Sequence, residues 1–404
     1  MALEMTPNVE WVGTIDWHER DFHGFTTERG VTYNAYLVRG ERTALIDTVK
    51  ARFAPAFVEE LRNRTGGIGP HFVVCNHAEP DHAGGLPALM EAFPSTTLLC
   101  NAKCRDILAH HYAVDGWKVR EVTHGEEISL GGRTLRFIDT PMLHWPESMA
   151  TYLPEEKLLF SMDIFGQHVA SSGRFDDEVR WCVTLDEAKS YFANIVQPYA
   201  RKVPPLLETL RGLEMEIIAP SHGVVWRSRV AEILEAYEEW SSRVPRAKVL
   251  VLFDTMWEST ERMAGAIVDG ASAEGVEVVS LKVGNTHLAR IATEALDAAC
   301  VAMGSATLHR GMMPRMAAVL TYLKGLASGG KAGFSFGSFG WGRGGPEELD
   351  EGMRAMKWEI LREPLRSRYR PDAETLEACR EAGALLAHRA REAAGSKTER
   401  RTDS

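Results

Sequence analysis

A run of six residues carries four potential metal ligands. His77, Glu79, Asp81 and His82 follow the apolar segment 72–75. Alternate side chains of an extended segment share a side, so we expect the first three to converge and His82 to reach a second position. Imidazoles mixed with carboxylates differ from the cysteine-rich sets of structural zinc sites, and they suit iron or manganese as well as zinc. The spacing therefore predicts two neighbouring metals.

Three later residues can complete the ligand set, and each lies in a turn-rich segment after an apolar run. His144 precedes Trp145 and Pro146, and a proline disfavours helical backbone at the residue before it. Asp163 follows the apolar run 158–162, and His222 follows 217–221. Each alone is equally explained as a turn residue. With the loop they supply four histidines and three carboxylates, enough for two metals, a bridging carboxylate and open positions for substrate.

Length and charge limit the classes of protein. A chain of 404 residues is too long for one ordinary core, so two domains are expected. The net charge of −10 argues against nucleic acid as a partner. No apolar run approaches the roughly 20 residues of a membrane span, and the N-terminus does not resemble a signal peptide. The sequence predicts neither nucleic-acid nor membrane binding.

The cysteines indicate a reducing compartment. Six are scattered along the chain rather than arranged as a disulfide framework, so we expect a cytoplasmic protein. No Cys-x-x-Cys pair is present, so the chain should carry no rubredoxin-type iron site of its own. The positions are Cys75, Cys100, Cys104, Cys182, Cys300 and Cys379.

The pattern of apolar residues changes near residues 241–246. An amphipathic helix over about 227–240 ends the first part, and short apolar strands then alternate with helices, which is typical of a doubly wound parallel sheet. We predict domains at 1–244 and 245–395 and a disordered tail at 396–404. The expected strands are 248–253, 277–282, 300–304 and 331–337, with helices such as 261–273 and 313–326.

Three loops follow strands of this second part. In such sheets ligands bind at the carboxyl ends of the strands. The loop 255–260 offers hydroxyls and free amides at a helix start, which suits an anion, but it lacks the glycines of a nucleotide-triphosphate loop. The loops 304–311 and 337–345 place aromatic residues among glycines, which suits a flat ring approached by backbone. Each loop alone is also explained by helix capping.

The metal pattern resembles the metallo-β-lactamase superfamily, in which a His-x-His-x-Asp-His loop precedes a His, an Asp and a His. Glu79 replaces the second His here, and this change, with the stretches 144–149 and 165–172, resembles the flavodiiron proteins. The resemblance implies an α/β chain: a metallo-β-lactamase-like αββα sandwich followed by a flavodoxin-like sheet. It also implies two non-haem irons bridged by Asp163, one held by His77, Glu79 and His144 and the other by Asp81, His82 and His222.

The three loops resemble flavodoxin and imply FMN. The chain departs from the family at Ala306, His309 and Phe339, where members commonly have Pro, Asn and Tyr, which bears on the flavin potential and its hydrogen bonding. The first loop would hold the phosphate and the other two would flank the isoalloxazine. The implied contacts are Thr255, Met256, Trp257, Glu258, Ser259, Thr260, Ser305, Ala306, Thr307, Leu308, His309, Ser338, Phe339, Gly340, Trp341 and Gly342.

The resemblance predicts a protective oxidoreductase acting on dioxygen, nitric oxide or both. Dioxygen takes four electrons to become water, and two nitric oxides take two to become nitrous oxide. The donor would be a rubredoxin, a flavin reductase or a reduced deazaflavin, and the assembly a head-to-tail homodimer or a tetramer. Two alternatives remain open at this stage: a dinuclear metallo-hydrolase, and an electron-transfer flavoprotein whose metal domain reduces no gas.

Overall fold

The computed structural model describes residues 3–273 and 275–402. The chain forms two compact units, Met1–Ser241 and Ser242–Ser404, divided close to the predicted boundary after residue 244. Within the described residues, no helix combines the length and the apolar composition that a bilayer span requires.

The first unit contains sixteen strands and seven α-helices among the described residues. Its strands are β1 Leu3–Thr6, β2 Val9–Trp11, β3 Thr14–Asp16, β4 Asp21–Phe22, β5 Phe25–Thr26, β6 Val31–Tyr33, β7 Tyr36–Val38, β8 Ala44–Ile46, β9 Phe72–Val74, β10 Thr97–Cys100, β11 Lys118–Glu121, β12 Glu127–Ser129, β13 Thr134–Asp139, β14 Met149–Leu153, β15 Leu158–Met162 and β16 Ile217–Pro220. Its helices are α1 Ala54–Arg64, α2 Pro80–Ala83, α3 Leu86–Ala92, α4 Ala102–His111, α5 Trp181–Tyr191, α6 Val203–Arg211 and α7 Val230–Ser241.

Two sheets of the first unit pack face to face. One has seven strands in the order β1-β2-β7-β8-β9-β10-β11, and the other has five in the order β12-β13-β14-β15-β16. A single buried cluster joins them, with Val74 and Leu99 from the first sheet and Phe137 and Phe160 from the second. Apolar side chains on the facing sides of two sheets are the reason such a sandwich is stable. The predicted αββα class is confirmed.

Parallel strands bring distant segments to one edge of this sandwich. Strands β8, β9 and β10 run parallel to one another, and so do β15 and β16. Asp47 follows β8, His77 follows β9, Asn101 follows β10, Asp163 follows β15 and His222 follows β16. The sheet registers therefore place four of the chemically important segments together.

The second unit is a six-stranded parallel sheet. Its order is β18-β17-β19-β20-β21, with β22 also paired to β20, and buried apolar clusters lie on both faces. This order starts 2-1-3, as in flavodoxin-like folds, and the predicted doubly wound sheet is confirmed. The strands are β17 Arg246–Asp254, β18 Glu277–Lys282, β19 Ala298–Ser305, β20 Ala332–Phe339, β21 Glu359–Ile360 and β22 Leu365–Arg368; the helices are α8 Ser259–Ala273, α9 Leu288–Asp297, α10 Pro314–Gly325, α11 Gly345–Ala355 and α12 Ala373–Thr402.

The last helix differs from expectation. Helix α12 extends to Thr402, into the segment 396–404 that the polar sequence predicted to be disordered. Once a helix has formed, each further residue adds one backbone hydrogen bond, so the helix can continue over 396–402 although the sequence there is polar. Residues 403 and 404 lie outside the described residues.

Candidate metal centre and flavin-binding edge

The seven predicted metal ligands form two adjoining groups. Within each group, one ligand atom per residue lies within 4.8 Å of the others. The larger group gathers residues from three different segments, and the smaller one joins the metal loop to the last histidine. The groups are His77, Glu79, His144 and Asp163, and Asp81, His82 and His222.

Asp163 lies between the two groups. Its Oδ2 is 3.1 Å from Nε2 of His144 and 3.5 Å from Nε2 of His77. Its Oδ1 is 3.0 Å from Nε2 of His82 and 3.3 Å from Nε2 of His222. One carboxylate oxygen thus faces each group, which is the geometry of a carboxylate that bridges two cations.

The metal loop is not extended throughout. Glu79 has extended backbone, but Pro80 starts the short helix α2, so Asp81 and His82 lie on a helical turn. The expectation that alternate residues converge along 77–82 is therefore wrong beyond Glu79. Proline is pre-organised for the first position of a helix, and the turn it begins directs Asp81 and His82 to the second group.

Glu147 is an important neighbour that sequence reasoning did not single out. Its carboxylate is fully buried, and Oε1 accepts hydrogen bonds from Nδ1 of His77 at 2.8 Å and from the backbone N of Ala78 at 3.1 Å. Burial opposes ionisation, but the hydrogen bond from His77 holds the pKa of Glu147 below its usual value. The ionised carboxylate fixes the proton on Nδ1, so Nε2 of His77 is free to bind a metal.

A second support holds both ends of the metal loop. Asp47 accepts from the backbone N of Asn76 at 2.8 Å and from its Nδ2 at 3.0 Å. The backbone N of Thr48 donates to the carbonyl of His82 at 3.0 Å. Asp47 and Thr48 stand directly after the apolar strand β8, and this polar pair was visible in the sequence. The sequence alone did not indicate which residues the pair contacts.

Other neighbours complete the surroundings of the site. His23, from the turn between β4 and β5, places Nε2 2.7 Å from Oε1 of Glu79. Nδ1 of His222 donates to the carbonyl of Thr32 at 2.7 Å. Trp145 packs edge-on against His77 with ring centroids 5.0 Å apart, so it forms part of the wall. His168 packs on His222 at 5.6 Å and does not join either ligand group.

The electrostatics fit cations. Burial alone would raise the pKa of Asp163, but the charge of His82 and hydrogen bonds from His144 and His222 hold it well below its usual range. Burial would lower the pKa of His144, but hydrogen bonds with Asp163 and Glu79 raise it to about 9. Oδ2 of Asp81 lies 3.1 Å from Nε2 of His222, and Nε2 of His82 lies 3.0 Å from Oδ1 of Asp163, and all of these side chains are buried. Buried charges of this kind are stabilised by metal coordination.

The predicted flavin residues meet at one edge of the second unit. Strands β17, β19 and β20 are parallel neighbours, so the loops that follow them lie together. Oγ1 of Thr260 is 3.1 Å from Oγ of Ser338, and the backbone N of Thr307 donates to the Ser338 carbonyl at 2.8 Å. These two contacts connect all three loops.

This edge has features of an aromatic ligand site. Trp257 and Trp341 are 88% and 94% exposed, although tryptophan is normally largely buried. The Thr255 hydroxyl is buried and makes no hydrogen bond within the described residues. Of the residues that depart from the flavodoxin-like pattern, Ala306 is buried and His309 is exposed with a φ of +50°.

Comparisons with known proteins agree with both units. Residues 31–223 match the family described as ODP family beta lactamase, and residues 251–383 match flavodoxin. The chain is 41% identical over 392 residues to a nitric oxide reductase of Moorella thermoacetica, covering 96% of this chain and 98% of the relative. It is 38% identical over 395 residues to an anaerobic nitric oxide reductase flavorubredoxin of Escherichia coli O1:K1, covering 96% of this chain and 82% of that protein.

Solved structures agree over nearly the whole length. The flavodiiron protein of Giardia intestinalis matches with a TM-score of 0.95 and 35% identity, covering 98% of each chain. The rubredoxin oxygen:oxidoreductase of Desulfovibrio gigas matches with a TM-score of 0.93 and 36% identity, covering 97% of this chain and 99% of that one. Two matched domains in this order, together with full-length relatives at this level of identity, place the chain in the flavodiiron protein family.

Proposed function

We propose that this chain is an FMN- and di-iron-dependent oxidoreductase that reduces dioxygen to water, nitric oxide to nitrous oxide, or both. The observation that carries the proposal is Asp163, whose two oxygens each face one group of ligands. Seven buried or nearly buried nitrogen and oxygen donors suit two iron ions with open coordination positions. The relatives named as reductases of nitric oxide and of oxygen support the same reading.

We assign each metal-site residue a role. His77, Glu79 and His144 would hold one iron and Asp81, His82 and His222 the other, with Asp163 between them. When bound, the metals supply Lewis-acid polarisation of the gas and the capacity to pass electrons to it.

The surrounding residues would prepare the site. Glu147 keeps His77 in the tautomer that presents Nε2, and Asp47 and Thr48 fix the loop at its two ends. The Trp145 ring covers His77 and helps to keep water away. These contacts hold the ligands in place before the metals arrive, which is what a precise metal centre needs.

The two alternatives are less well supported. If the chain were a zinc hydrolase, the flavin-binding edge would have no part in its reaction. If it were an electron carrier, the seven converging ligands would have no part in its function. The full-length relatives are named as reductases, and one reading explains both units. The gas reductase is therefore the main proposal.

FMN would bind at the carboxyl edge of the second unit. The segment 255–260 would receive the phosphate at the start of α8, where backbone amides favour an anion. The exposed Trp257 and Trp341 rings and the loops 305–309 and 338–342 would contact the isoalloxazine. The buried Thr255 hydroxyl, which lacks a protein partner in the described residues, fits a phosphate oxygen.

Two arginines lie near this edge, where we expect the electron donor to approach. The Arg343 guanidinium lies over the Phe339 ring at 5.0 Å, and Nε of Arg368 donates to the Gly340 carbonyl at 3.3 Å. Both side chains are exposed, in a chain whose net charge is −10. We propose that an acidic donor such as a rubredoxin docks here, with a flavin reductase or a reduced deazaflavin as the other candidates.

The domain limits, the assembly and the cellular compartment are also part of the proposal. We propose that the metal domain spans 1–244 and the FMN domain 245–395, that the chain assembles as a head-to-tail homodimer or tetramer, and that it works in the cytoplasm against oxidative or nitrosative stress. Six unpaired cysteines support a reducing compartment. Sedimentation analysis tests the assembly, and a fully active monomer would contradict it.

The decisive experiment combines metal analysis with anaerobic turnover. The protein, reduced through its flavin, is offered dioxygen and nitric oxide in parallel, and water, peroxide and nitrous oxide are quantified. We expect two irons and one FMN per chain and rapid consumption of at least one gas. Zinc in the site, or flavin oxidation that yields only peroxide, would overturn the proposed reaction.

A further inference from the structure

One buried residue attaches the loop of His222 to the segment between β6 and β7. Asn34 lies in that segment and is 1% exposed. Its Nδ2 donates to the carbonyls of Pro220 at 2.8 Å and Gly223 at 3.0 Å, and its backbone N donates to the carbonyl of Ser221 at 2.8 Å. These three hydrogen bonds hold the His222 loop, residues 220–223, on both sides of the histidine.

We propose that Asn34 is a positioning residue for one of the two metals. By holding the His222 loop, it sets the metal affinity of the group formed by Asp81, His82 and His222, and it leaves the affinity of the other group unchanged. The inference rests on the proposed function only in that it takes the two ligand groups to bind two metals. The two metal positions then depend on different parts of the chain for their support.

The partners of the Asn34 side chain fix which end of the amide faces the loop. Nε1 of Trp11 donates to Oδ1 of Asn34 at 2.8 Å, and an indole N–H cannot accept a hydrogen bond. The carbonyls of Pro220 and Gly223, at the other end, accept and cannot donate. The oxygen therefore faces Trp11 and the two N–H groups face the loop. A side chain that cannot donate at this end loses both contacts with the loop.

The Trp11 ring is held in turn by a buried cation. The guanidinium carbon of Arg174, a residue that is 5% exposed, lies 5.0 Å from the centre of the Trp11 ring. Attraction between a cation and an aromatic face is stronger when both are removed from water. The backbone carbonyl of Arg174 also accepts from the backbone N of Val225 at 2.7 Å, just beyond the His222 loop. Asn34 is therefore fixed from the side of Trp11 as well as from the loop.

The His222 ring depends on the same segment for its orientation. Its Nδ1 donates to the carbonyl of Thr32 at 2.7 Å, and Oγ1 of Thr32 accepts from the backbone N of Gly223 at 2.7 Å. Because a carbonyl only accepts, the hydrogen is on Nδ1 and Nε2 is left for a metal. This bond persists only while the loop stays against residues 32–34. A change at Asn34 therefore acts on the metal through the position of the ring.

The first metal group has other supports. Glu147 orients the His77 ring, and Asp47 holds the start of the metal loop. A shift of the His222 loop therefore displaces a ligand of the second group directly, whereas the first group keeps its own supports. The ligands of the first group are His77, Glu79, His144 and the shared Asp163.

Stepwise removal of the metals tests the proposal. Asn34→Asp keeps the size of the side chain but places an acceptor opposite the two carbonyls, and Asn34→Ala removes the side-chain contacts. Both variants and the parent, loaded with iron, are titrated with a chelator while bound metal is counted. We expect one equivalent to be held about 10–100-fold more weakly than in the parent, and the other to stay within about twofold. Two unchanged equivalents, or two that weaken equally, would overturn the proposal.

Electron paramagnetic resonance identifies the group that loses its metal. Two adjacent ferric ions couple magnetically, whereas a ferric ion that has lost its neighbour gives the signal of an isolated high-spin ion. Partly stripped Asn34→Asp should give this isolated signal with the line shape of partly stripped His222→Ala. The line shape of His144→Ala, which lacks a ligand of the first group, would contradict the assignment if Asn34→Asp showed it.

Matched controls separate a general loss of stability from the proposed effect. Asn63→Asp makes the same change at an exposed position of α1, so it should bind both metals like the parent. Melting of the metal-free proteins measures the general loss of stability. If Asn34→Asp does not fold, Trp11→Phe keeps a ring and removes the N–H that fixes the amide. It should weaken the same equivalent, and parental binding of both metals in Trp11→Phe would refute the role of the amide.

The titration also distinguishes this inference from the proposed function. Zinc in the isolated protein, or no consumption of either gas, would refute the reductase. The parent and the Asn34 variants loaded with zinc can still be titrated, and selective weakening of one equivalent would still support the positioning role. Parental affinity for both metals in an Asn34 variant that reduces a gas would refute the positioning role alone.

Discussion

Replacing Glu147 by alanine should destabilise the first unit and weaken its hold on iron. The Glu147 carboxylate is the acceptor for two buried donors, Nδ1–H of His77 and the backbone N–H of Ala78. A buried donor left without an acceptor costs about 1–3 kcal/mol, so the two together cost about 2–6 kcal/mol in free energy of unfolding. For a unit of this size each kcal/mol shifts the melting temperature by about 2–4 °C.

Glu147→Gln separates stability from metal affinity. Glutamine keeps a carbonyl oxygen that can accept from His77, so the metal-free protein should lose much less stability than in Glu147→Ala. It removes the negative charge that raises the basicity of the imidazole, and loss of such a partner typically lowers metal affinity by about 10–100-fold. Both variants should therefore bind iron weakly, but only the alanine variant should melt at a clearly lower temperature without metal.

Thermal unfolding of the metal-free protein and competition with an iron chelator measure the two quantities. Glu208→Ala is a suitable control, because Glu208 is an exposed acid on α6 of the same unit, and exposed substitutions usually change stability by less than about 0.5 kcal/mol. If Glu147→Gln keeps the parent's iron affinity within about twofold, the carboxylate does not support the His77 ligand and the reasoning fails.

Three further predictions use the same contacts. Asp47→Ala should lower iron content and the stability of the first unit, because the backbone and side-chain donors of Asn76 lose their acceptor; metal analysis and melting check this. Thr255→Ala should weaken FMN binding by about tenfold, as expected for one lost hydrogen bond to a charged group, yet leave the FMN-free protein as stable as the parent, because the hydroxyl has no partner in the described residues; flavin titration and melting check this. The metal-free protein should lose stability as pH rises from about 6.5 to 10, because hydrogen bonds with Asp163, outweighing burial, raise the folded-state pKa of His144 to about 9 and of His222 to about 10. A histidine whose pKa is higher in the folded than in the unfolded protein stabilises the fold at pH values below its unfolded pKa, and this contribution is lost above its folded pKa. Melting experiments that show unchanged stability across this pH range would contradict the assignment.

The sequence predicted the structure best where apolar residues recur at short, regular intervals along the chain. The alternation of apolar strands and helices after residue 245 predicted the second unit, and four of the six strands observed there include every residue of the four predicted strands except Lys331. The boundaries differ by at most two residues, and where the observed strand is longer, backbone pairing continues past the apolar positions. Sequence could not show that Asp81 and His82 leave the extended backbone, although Pro80 was the available signal.

What the sequence by itself determined is the inventory: which seven side chains can ligate metals, and which three loops follow parallel strands. Their chemistry and their position after apolar runs are local properties, and they can be read along the chain. The tertiary structure decided which atoms meet. His77 and Glu147 are 70 positions apart, and His222 and Thr32 are 190 apart. Such contacts depend on the register of the sheets, which is set by burial of the whole core rather than by any short segment, so only the folded chain could show that Asp163 divides its two oxygens between the two groups.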